Sequence, residues 1–282
     1  MTILARRLAQ ATECLAAVSD TPRLDAEILM AHSLQTSRAQ LLARLREDVP
    51  APGYEELVER RLAYEPIAYI VGTWEFYSLD FLIEPPVLVP RPETEHLVEV
   101  VLAFIGNGRA RVLDVGTGSG CVAVALAKNA PSIRMVATDI DPHNLDLARR
   151  NAQRHRVADR IDFRCGDLFA ALEEDEQTFD VICSNPPYVE ESAWPQLSPV
   201  IRLYEDPRAL LAGAEGLEII RRLAEGARGR LAAGDLLAFE IGMGQIDAVR
   251  SILLSNAYEE IAFCPDLAGI PRVAYAKKTR GQ

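Results

Sequence analysis

Cysteine, histidine and basic charge are all scarce in this chain of 282 residues. The five cysteines (Cys14, Cys121, Cys165, Cys183, Cys264) are odd in number, scattered, and form no C-x-x-C pair. That excludes a disulfide framework and a thiolate zinc site, and it fits a reduced cytoplasmic chain. Cys121, Cys165 and Cys183 read as buried packing within helix or strand. The four histidines (His32, His96, His143, His155) include no H-x-x-x-H pair, so no metal is expected. Basic residues number 30 against 41 acidic ones, a formal net charge of −11. A protein that grips nucleic acid through its phosphates needs a basic footprint, so no direct nucleic-acid binding is expected. No uninterrupted apolar run approaches the ~18–20 residues of a membrane span. The N-terminus meets charge at Arg6-Arg7 and then follows a helical period, which is not the pattern of a signal peptide.

What is present is ordinary for a globular protein: 49% apolar and 25% charged residues. The length suggests two domains. Residues 1–73 read as helices only. Leu4, Leu8, Ala11, Leu15 and Val18 recur at intervals of three and four on one helical face. Thr21-Pro22 looks like an N-cap followed by proline at the first helical position, with Leu24, Ile28 and Leu29 behind it. Ser37-x-x-Gln40 is a capping box, and a further amphipathic stretch runs from Tyr54 to Ala63. This part holds eight basic and ten acidic residues, so most of the chain's excess acidity lies beyond it.

The texture changes at Trp74. Phe76–Ile83 is aromatic and β-prone, and Val87-Leu88-Val89 follows the Pro85-Pro86 break, so residues 74–90 are expected to form a hairpin linker. A helix is expected from Glu93 to Ile105. From Arg111 the pattern alternates. Strands are predicted at Arg111–Val115, Ile133–Thr138, Ile161–Cys165, Phe179–Ser184, Leu236–Ile241, Ile261–Cys264 and Val273–Ala276, with helices such as Cys121–Lys128 and Pro142–Arg154 between most of them. Alternation of this kind means an α/β, largely parallel sheet covered on both faces. Only Pro265 to Arg272 separates the last two strands, so those two should pair antiparallel. The acidic run Glu173-Glu174-Asp175-Glu176 reads as a solvated loop.

Two motifs carry chemistry. The first strand runs into Asp114-Val115-Gly116-Thr117-Gly118-Ser119-Gly120 and then a helix. Glycines at such a turn let a ligand approach the backbone beside helix-terminal N–H groups. The spacing is G-x-G-x-G, and Cys121 follows, so the dinucleotide fingerprint is not met. Asp139 ends the second strand, where a carboxylate can accept the hydroxyls of a ribose. The fourth strand ends in Asn185-Pro186-Pro187-Tyr188, which borders the same crevice in an open α/β sheet. An amide or aromatic-amine nitrogen is a poor nucleophile because its lone pair is delocalised. Two acceptors holding its N–H bonds localise that pair. The Asn185 side-chain oxygen is one, the Pro186 carbonyl a candidate second, and Tyr188 offers a flat face.

Together these motifs resemble the class I S-adenosylmethionine-dependent methyltransferases that act on amino or amide nitrogens. Pro66-Ile67-Ala68-Tyr69-Ile70-x-Gly72, Glu75-Phe76, Val89-Pro90-Arg91-Pro92-Glu93-Thr94-Glu95, Tyr204-Glu205-x-Pro207-x-Ala209-Leu210, Gly213-x-x-Gly216-Leu217, Glu240-Ile241-Gly242 with Gln245, and Asp266-x-x-Gly269-x-x-Arg272-Val273 narrow the match. Over essentially the whole chain the sequence is similar to the release-factor glutamine methyltransferases, the HemK/PrmC group.

The resemblance implies a Rossmann-like, mostly parallel seven-stranded sheet with a small all-α N-terminal domain. Residues 1–73 would recognise the substrate and residues 91–282 would form the methyltransferase domain. It implies methyl transfer from S-adenosyl-L-methionine to the glutamine amide of the Gly-Gly-Gln motif in class 1 peptide-chain release factors. Gly116, Thr117, Gly118, Ser119 and Gly120 would cradle the cofactor's methionine part, Asp139 its ribose, and Asp167 and Leu168 its adenosine end. Relatives often carry a large aromatic where this chain has Leu168, and Phe169 is the candidate to compensate. Asn185 would touch both cofactor and glutamine. Pro186, Pro187 and Tyr188 would border the glutamine, with Phe76, Arg91 and Glu93 closing the pocket. A monomer without membrane attachment is expected. The rival readings are a ribosomal-protein glutamine methyltransferase, an adenine-N6 nucleic-acid methyltransferase, and a non-catalytic binding module that keeps the fold.

Overall fold

The computed structural model describes residues 2–173 and 178–280. Positions 174–176 of the acidic run therefore lie outside the described residues. The chain divides into two compact units, Met1–Thr73 with Leu197–Glu205, and Trp74–Gln196 with Asp206–Gln282.

The first unit is helical: α1 (Ile3–Leu15), α2 (Pro22–Ser33), α3 (Arg38–Ala43), α4 (Tyr54–Leu62) and α5 (Ile67–Val71). Leu4, Leu8, Ala11 and Leu15 form the buried face of α1, as their spacing predicts. Ser37 and Gln40 complete the capping box of α3. Pro22 opens α2, but Thr21 makes no side-chain cap; its hydroxyl instead faces the Asp25 carboxylate at 3.4 Å. Asp25 is held by Arg61 of α4 at 2.8 Å, both side chains about 8% exposed. The Arg61 guanidinium also donates to the Val18 carbonyl, so this buried ion pair ties the α1–α2 connection to α4. The unit later receives a further helix, residues Pro199–Tyr204, whose Tyr204 hydroxyl donates to the Ala63 carbonyl at 2.9 Å.

The second unit opens on a hairpin of β1 (Thr73–Phe76) and β2 (Leu79–Leu82). Tyr77 and Ser78 at its tip both take positive φ, 52° and 58°, a turn without the usual glycine. There follow α6 (Glu95–Ile105), β3 (Arg111–Val115), α7 (Cys121–Asn129), β4 (Arg134–Asp139), α8 (Pro142–Arg154), β5 (Ile161–Cys165) and β6 (Phe179–Ser184). With the helix Pro199–Tyr204 counted as α9, the rest are α10 (Glu218–Arg228), β7 (Leu231–Glu240), α11 (Ile246–Ser255), β8 (Tyr258–Pro265) and β9 (Pro271–Lys278). The seven strands β3–β9 order as β5-β4-β3-β6-β7-β9-β8. All neighbours are parallel except those of β9, which is antiparallel to both β7 and β8. The central strands are nearly continuous apolar runs because helices cover both faces. Leu113, Ile182, Leu237 and Phe239 are fully buried.

Several predicted bounds move for local reasons. The α-helix expected from Glu93 starts at Glu95, after a 3-10 turn over Pro92–Thr94 that turns the Thr94 side chain into the protein. Strand β7 starts five residues early because Leu231 already pairs with Phe179; Ala232-Ala233-Gly234-Asp235, without β-branched residues, form an irregularity before the register resumes at Leu236. Strand β8 includes the charged Glu259-Glu260, where Glu260 has φ 52°. Cys121 and Cys183 are buried as expected, but Cys165 is exposed because it ends β5 at the rim of the sheet.

The chain builds outward from β3 to β4 to β5, then crosses back to lay β6 on the other side of β3. Loops leaving β3 and β6 therefore diverge and open a crevice at the strands' carboxyl ends. In the helical unit, Arg61→Ala would leave the Asp25 carboxylate buried without its partner. The expected loss is about 3–5 kcal/mol, read as an earlier denaturant midpoint for the helical unit.

Candidate active site

The glycine loop is pinned before it meets any ligand. The Gly116 and Thr117 N–H groups both donate to the Thr138 carbonyl of β4 at 2.8 Å. Gly116, Gly118 and Gly120 all take positive φ, 73°, 56° and 80°, which costs a side-chain-bearing residue roughly 1–2 kcal/mol. Their surroundings differ. A Cβ on Gly116 or Gly118 would meet nothing within 4 Å, whereas on Gly120 it would stand 2.9 Å from the Ala148 Cβ of α8. The first two glycines thus leave open space toward the crevice, and the third lets α7 and α8 approach. Thr117 and Ser119 are buried and are not part of the lining of the cavity around the loop. The Thr117 hydroxyl donates to Asp114 at 2.6 Å and shapes the loop from beneath. Burial pushes the Asp114 carboxyl up to about 7, against the Thr117 bond that favours its charged form.

Around the loop lies a cavity of about 360 Å³, within the usual ~300–1,000 Å³ of small-molecule sites. Gly116, Gly118, Asp139, Asp167, Leu168, Asn185 and Pro187 all line it. Asp139 Oδ2 accepts the Gly118 N–H at 2.8 Å, and Oδ1 accepts from the Asp141 N–H and the Asn144 side chain. Burial raises the Asp139 pKa, while these bonds pull the other way. Asp167 is exposed and paired with Arg222 at 2.6 Å. Leu168, at φ 50°, and Ile140 supply aliphatic walls. Phe169 does not fill the aromatic place. Its ring packs where a Cβ on Gly226 of α10 would stand, 2.3 Å away. Sequence reasoning missed Ile140, Asn144 and the rim pair Asp141–Arg208, joined at 2.7 Å. Asp141-Pro142, a helix-start pattern directly after the ribose candidate, was the available signal.

A second, narrow slot of about 20 Å³ is lined by Leu88, Arg91, Asn185, Pro186, Tyr188, Val189, Ala209 and Leu210. Asn185 borders both spaces. Its Nδ2 donates to Thr94 Oγ1 at 3.0 Å, and the Thr94 hydroxyl donates to Glu240 Oε2 at 2.6 Å. The Tyr188 hydroxyl donates to Glu240 Oε1 at 2.9 Å. Burial raises the Glu240 pKa, partly offset by these two hydroxyl bonds. Burial, with the Glu240 charge beside it, also holds the Tyr188 phenol protonated far above its ordinary range. Behind the tetrapeptide, Gln245 Nε2 donates to the carbonyls of Tyr188 and Gly216, while its Oε1 accepts the Gly242 N–H.

Two expected residues lie elsewhere. Phe76 is 1% exposed, packed edge-on against Phe81 in the hairpin at 6.1 Å, and lines neither space. Its aromaticity serves the hairpin core. Glu93 lines neither space either; its charge acts on Glu240 and Arg272.

Residues 7–72 match the family model of the PrmC N-terminal domain, and residues 94–231 that of the methyltransferase small domain. The chain is 42% identical over 267 residues to a release factor glutamine methyltransferase from Koribacter versatilis (strain Ellin345), covering 93% of this chain and 94% of the relative. It is 41% identical over 263 residues to a protein of the same description from Neisseria gonorrhoeae (strain ATCC 700825 / FA 1090), covering 92% and 95%. A solved methyltransferase from Pyrococcus furiosus is similar with a TM-score of 0.55 at 20% identity, over 81% of this chain and 100% of that one. The second unit has the class I methyltransferase fold.

The three glycines should respond differently to alanine. Gly120→Ala is expected to lower stability by about 1–3 kcal/mol through the clash with Ala148, read as a drop in melting temperature. Gly118→Ala should leave melting closer to that of the parent while weakening S-adenosylmethionine binding in an equilibrium titration.

Proposed function

We infer that this chain, which belongs to the release factor glutamine methyltransferase family, transfers a methyl group from S-adenosyl-L-methionine to the side-chain amide nitrogen (N5) of the glutamine in the Gly-Gly-Gln motif of peptide-chain release factors. The observation that carries the reading is the place of Asn185, which borders both the large cavity and the slot beside Pro186 and Tyr188. One side chain thus borders both the room for a cofactor and the narrow slot at which the substrate amide is proposed to enter.

The large cavity fits the cofactor part by part. Gly116 and Gly118 leave the open space a methionine moiety needs. Asp139 lines the cavity with a carboxylate that accepts three hydrogen bonds from the chain and keeps an acceptor site for a ribose hydroxyl. Leu168 and Ile140 offer aliphatic faces to an adenine, in place of an aromatic stack. When bound, S-adenosylmethionine supplies an electrophilic methyl group on a positively charged sulfur.

The chain's own residues supply orientation. Asn185 Oδ1 and the Pro186 carbonyl accept the two N–H bonds of the substrate amide. Holding both bonds turns the nitrogen lone pair away from conjugation and aims it across Asn185 toward the large cavity. Positive charge develops on that nitrogen as its bond to the methyl group forms and the sulfur keeps the electrons of the bond that breaks, so acceptors there stabilise the transition state more than the ground state; one of the two held protons then passes to solvent. Placing the reacting groups together also removes much of the entropic barrier, up to roughly 7–11 kcal/mol in well-oriented systems. Tyr188, kept neutral by burial and by Glu240, walls the amide without adding charge.

The helical unit is assigned to recognition of the release factor, with residues 74–90 as linker and 91–282 as the methyltransferase domain. Its match to the PrmC N-terminal domain over residues 7–72 supports this, and every residue lining the large cavity and the slot described above lies beyond Trp74. Among the described residues no helix is long and apolar enough to cross a membrane. The enzyme is proposed to act in the cytoplasm as a monomer. With a net charge of −11, it is proposed to act without gripping nucleic acid.

The test is incubation with labelled S-adenosylmethionine and an intact release factor, beside a copy whose Gly-Gly-Gln glutamine is changed. Label in the first alone is expected; label in ribosomal proteins instead would replace the substrate. Asn185→Ala should lower kcat by about 100-fold or more while cofactor affinity changes far less. Near-normal turnover of that variant would remove Asn185 from the role.

A further inference from the structure

Resting on that reading, Thr94 and Glu240 have no task in the transfer itself, yet both are buried directly behind the residue that does. An asparagine side chain has a donor end and an acceptor end of nearly identical shape. Packing alone cannot choose between them, and only one choice serves an amide substrate. With Oδ1 toward the slot, Asn185 accepts a substrate N–H bond. With Nδ2 toward the slot, it would oppose one donor to another.

We propose that Thr94 and Glu240 are positioning residues that set the polarity of the Asn185 amide, forming a one-way hydrogen-bond relay from Asn185 through Thr94 to Glu240. The direction follows from the chemistry of the terminal group. The ionised Glu240 only accepts, and the two hydroxyls that favour this form against burial reach one oxygen each, Thr94 at 2.6 Å and Tyr188 at 2.9 Å. Thr94 has a single hydroxyl proton, and Glu240 takes it. What Thr94 presents to Asn185, 3.0 Å away, is therefore a lone pair. Only the Nδ2 end of the amide satisfies a lone pair, so Oδ1 is left for the slot. The relay is almost wholly buried, with Thr94 and Glu240 each 1% exposed, so water cannot substitute for a missing member.

The arrangement also accounts for local structure. Thr94 reaches Glu240 because the chain forms a 3-10 turn over Pro92–Thr94 instead of starting the α-helix at Glu93. Glu240 is the last residue of β7, and Asn185 follows the last residue of β6. Two parallel neighbours thus bring the ends of the relay together.

The test compares kcat and cofactor affinity for the full chain and variants acting on an intact release factor. Thr94→Val keeps the shape and removes the hydroxyl, and Glu240→Gln lets the terminal group donate. Each is expected to lower kcat by about tenfold or more with cofactor affinity within about threefold. Thr94→Ser should restore most of the turnover lost in Thr94→Val. A purely structural role would not predict the double variant. In Asn185→Asp the new carboxylate faces the Thr94 lone pair. Adding Glu240→Gln reverses the relay, because the glutamine amide donates to Thr94 and the Thr94 hydroxyl donates to Asp. Asn185→Asp with Glu240→Gln should therefore be about tenfold more active than Asn185→Asp alone. Losses that simply multiply would overturn the relay. A readout independent of turnover is the Asn185 side-chain 15NH2 signal, expected to show slowed hydrogen exchange in the parent and lose it in Thr94→Val. An unchanged signal overturns the proposal. A parent protein inactive on release factors overturns only the substrate, and the amide signal still decides the relay.

Discussion

Two hydroxyl groups donated to one buried carboxylate hold the reacting end of this protein together. Glu240 sits at the end of β7 and receives Thr94 from the entry to α6 and Tyr188 from the loop after β6. These three segments are far apart in sequence, and no regular backbone ladder joins them all. Without the carboxylate, the Tyr188 and Thr94 hydroxyls would lose the acceptor they share. With it, the ring of Tyr188 and the amide of Asn185 are both fixed from behind. Gln245 extends the same logic to the backbone, since its amide holds the carbonyl of Tyr188 in place. The burial that makes an ionised Glu240 costly is the same burial that makes its two hydrogen bonds strong.

The cofactor side is built on a different principle. There the backbone itself does the shaping, with two loop N–H groups anchored on one carbonyl and a carboxylate reaching back to a third. Small residues leave room, and acidic groups at strand ends define the polar edge. One half of the site is rigid because side chains cross-brace it, the other because its main chain has few alternatives. A single residue, Asn185, belongs to both halves.

Much of this could be read from sequence because the informative residues are local. Strands β3, β5 and β6 and helix α8 fall where their patterns place them, since apolar runs and an Asp-Pro helix start need no tertiary knowledge. The glycine loop and the tetrapeptide declare themselves by composition at strand ends. What could not be read is whatever depends on distant packing. Gly120 looks like its neighbours in the motif, and only the position of Ala148 shows that it serves helix contact. Phe169 looks available for an adenine until Gly226 is seen to receive its ring. Phe76 sits beside motif residues yet belongs to the hairpin core. Thr94 and Glu240 were visible as motif letters, but their shared hydrogen bonds with Asn185 and Tyr188 exist only in the folded chain.

The connection between β6 and α10 has a consequence for how the protein can be divided. Residues Leu197–Glu205 leave the second unit and pack with the first, and the chain returns at Asp206. Tyr204 then rests on the carbonyl of Ala63, at the end of α4. The helical unit is therefore discontinuous, and no single cut in the chain yields two complete pieces. Severing after Thr73 strips the excursion of its support and deprives the helices of their last member. No uninterrupted stretch of the chain therefore holds either unit whole, so each is finished only once residues on both sides of a segment of the other have been made.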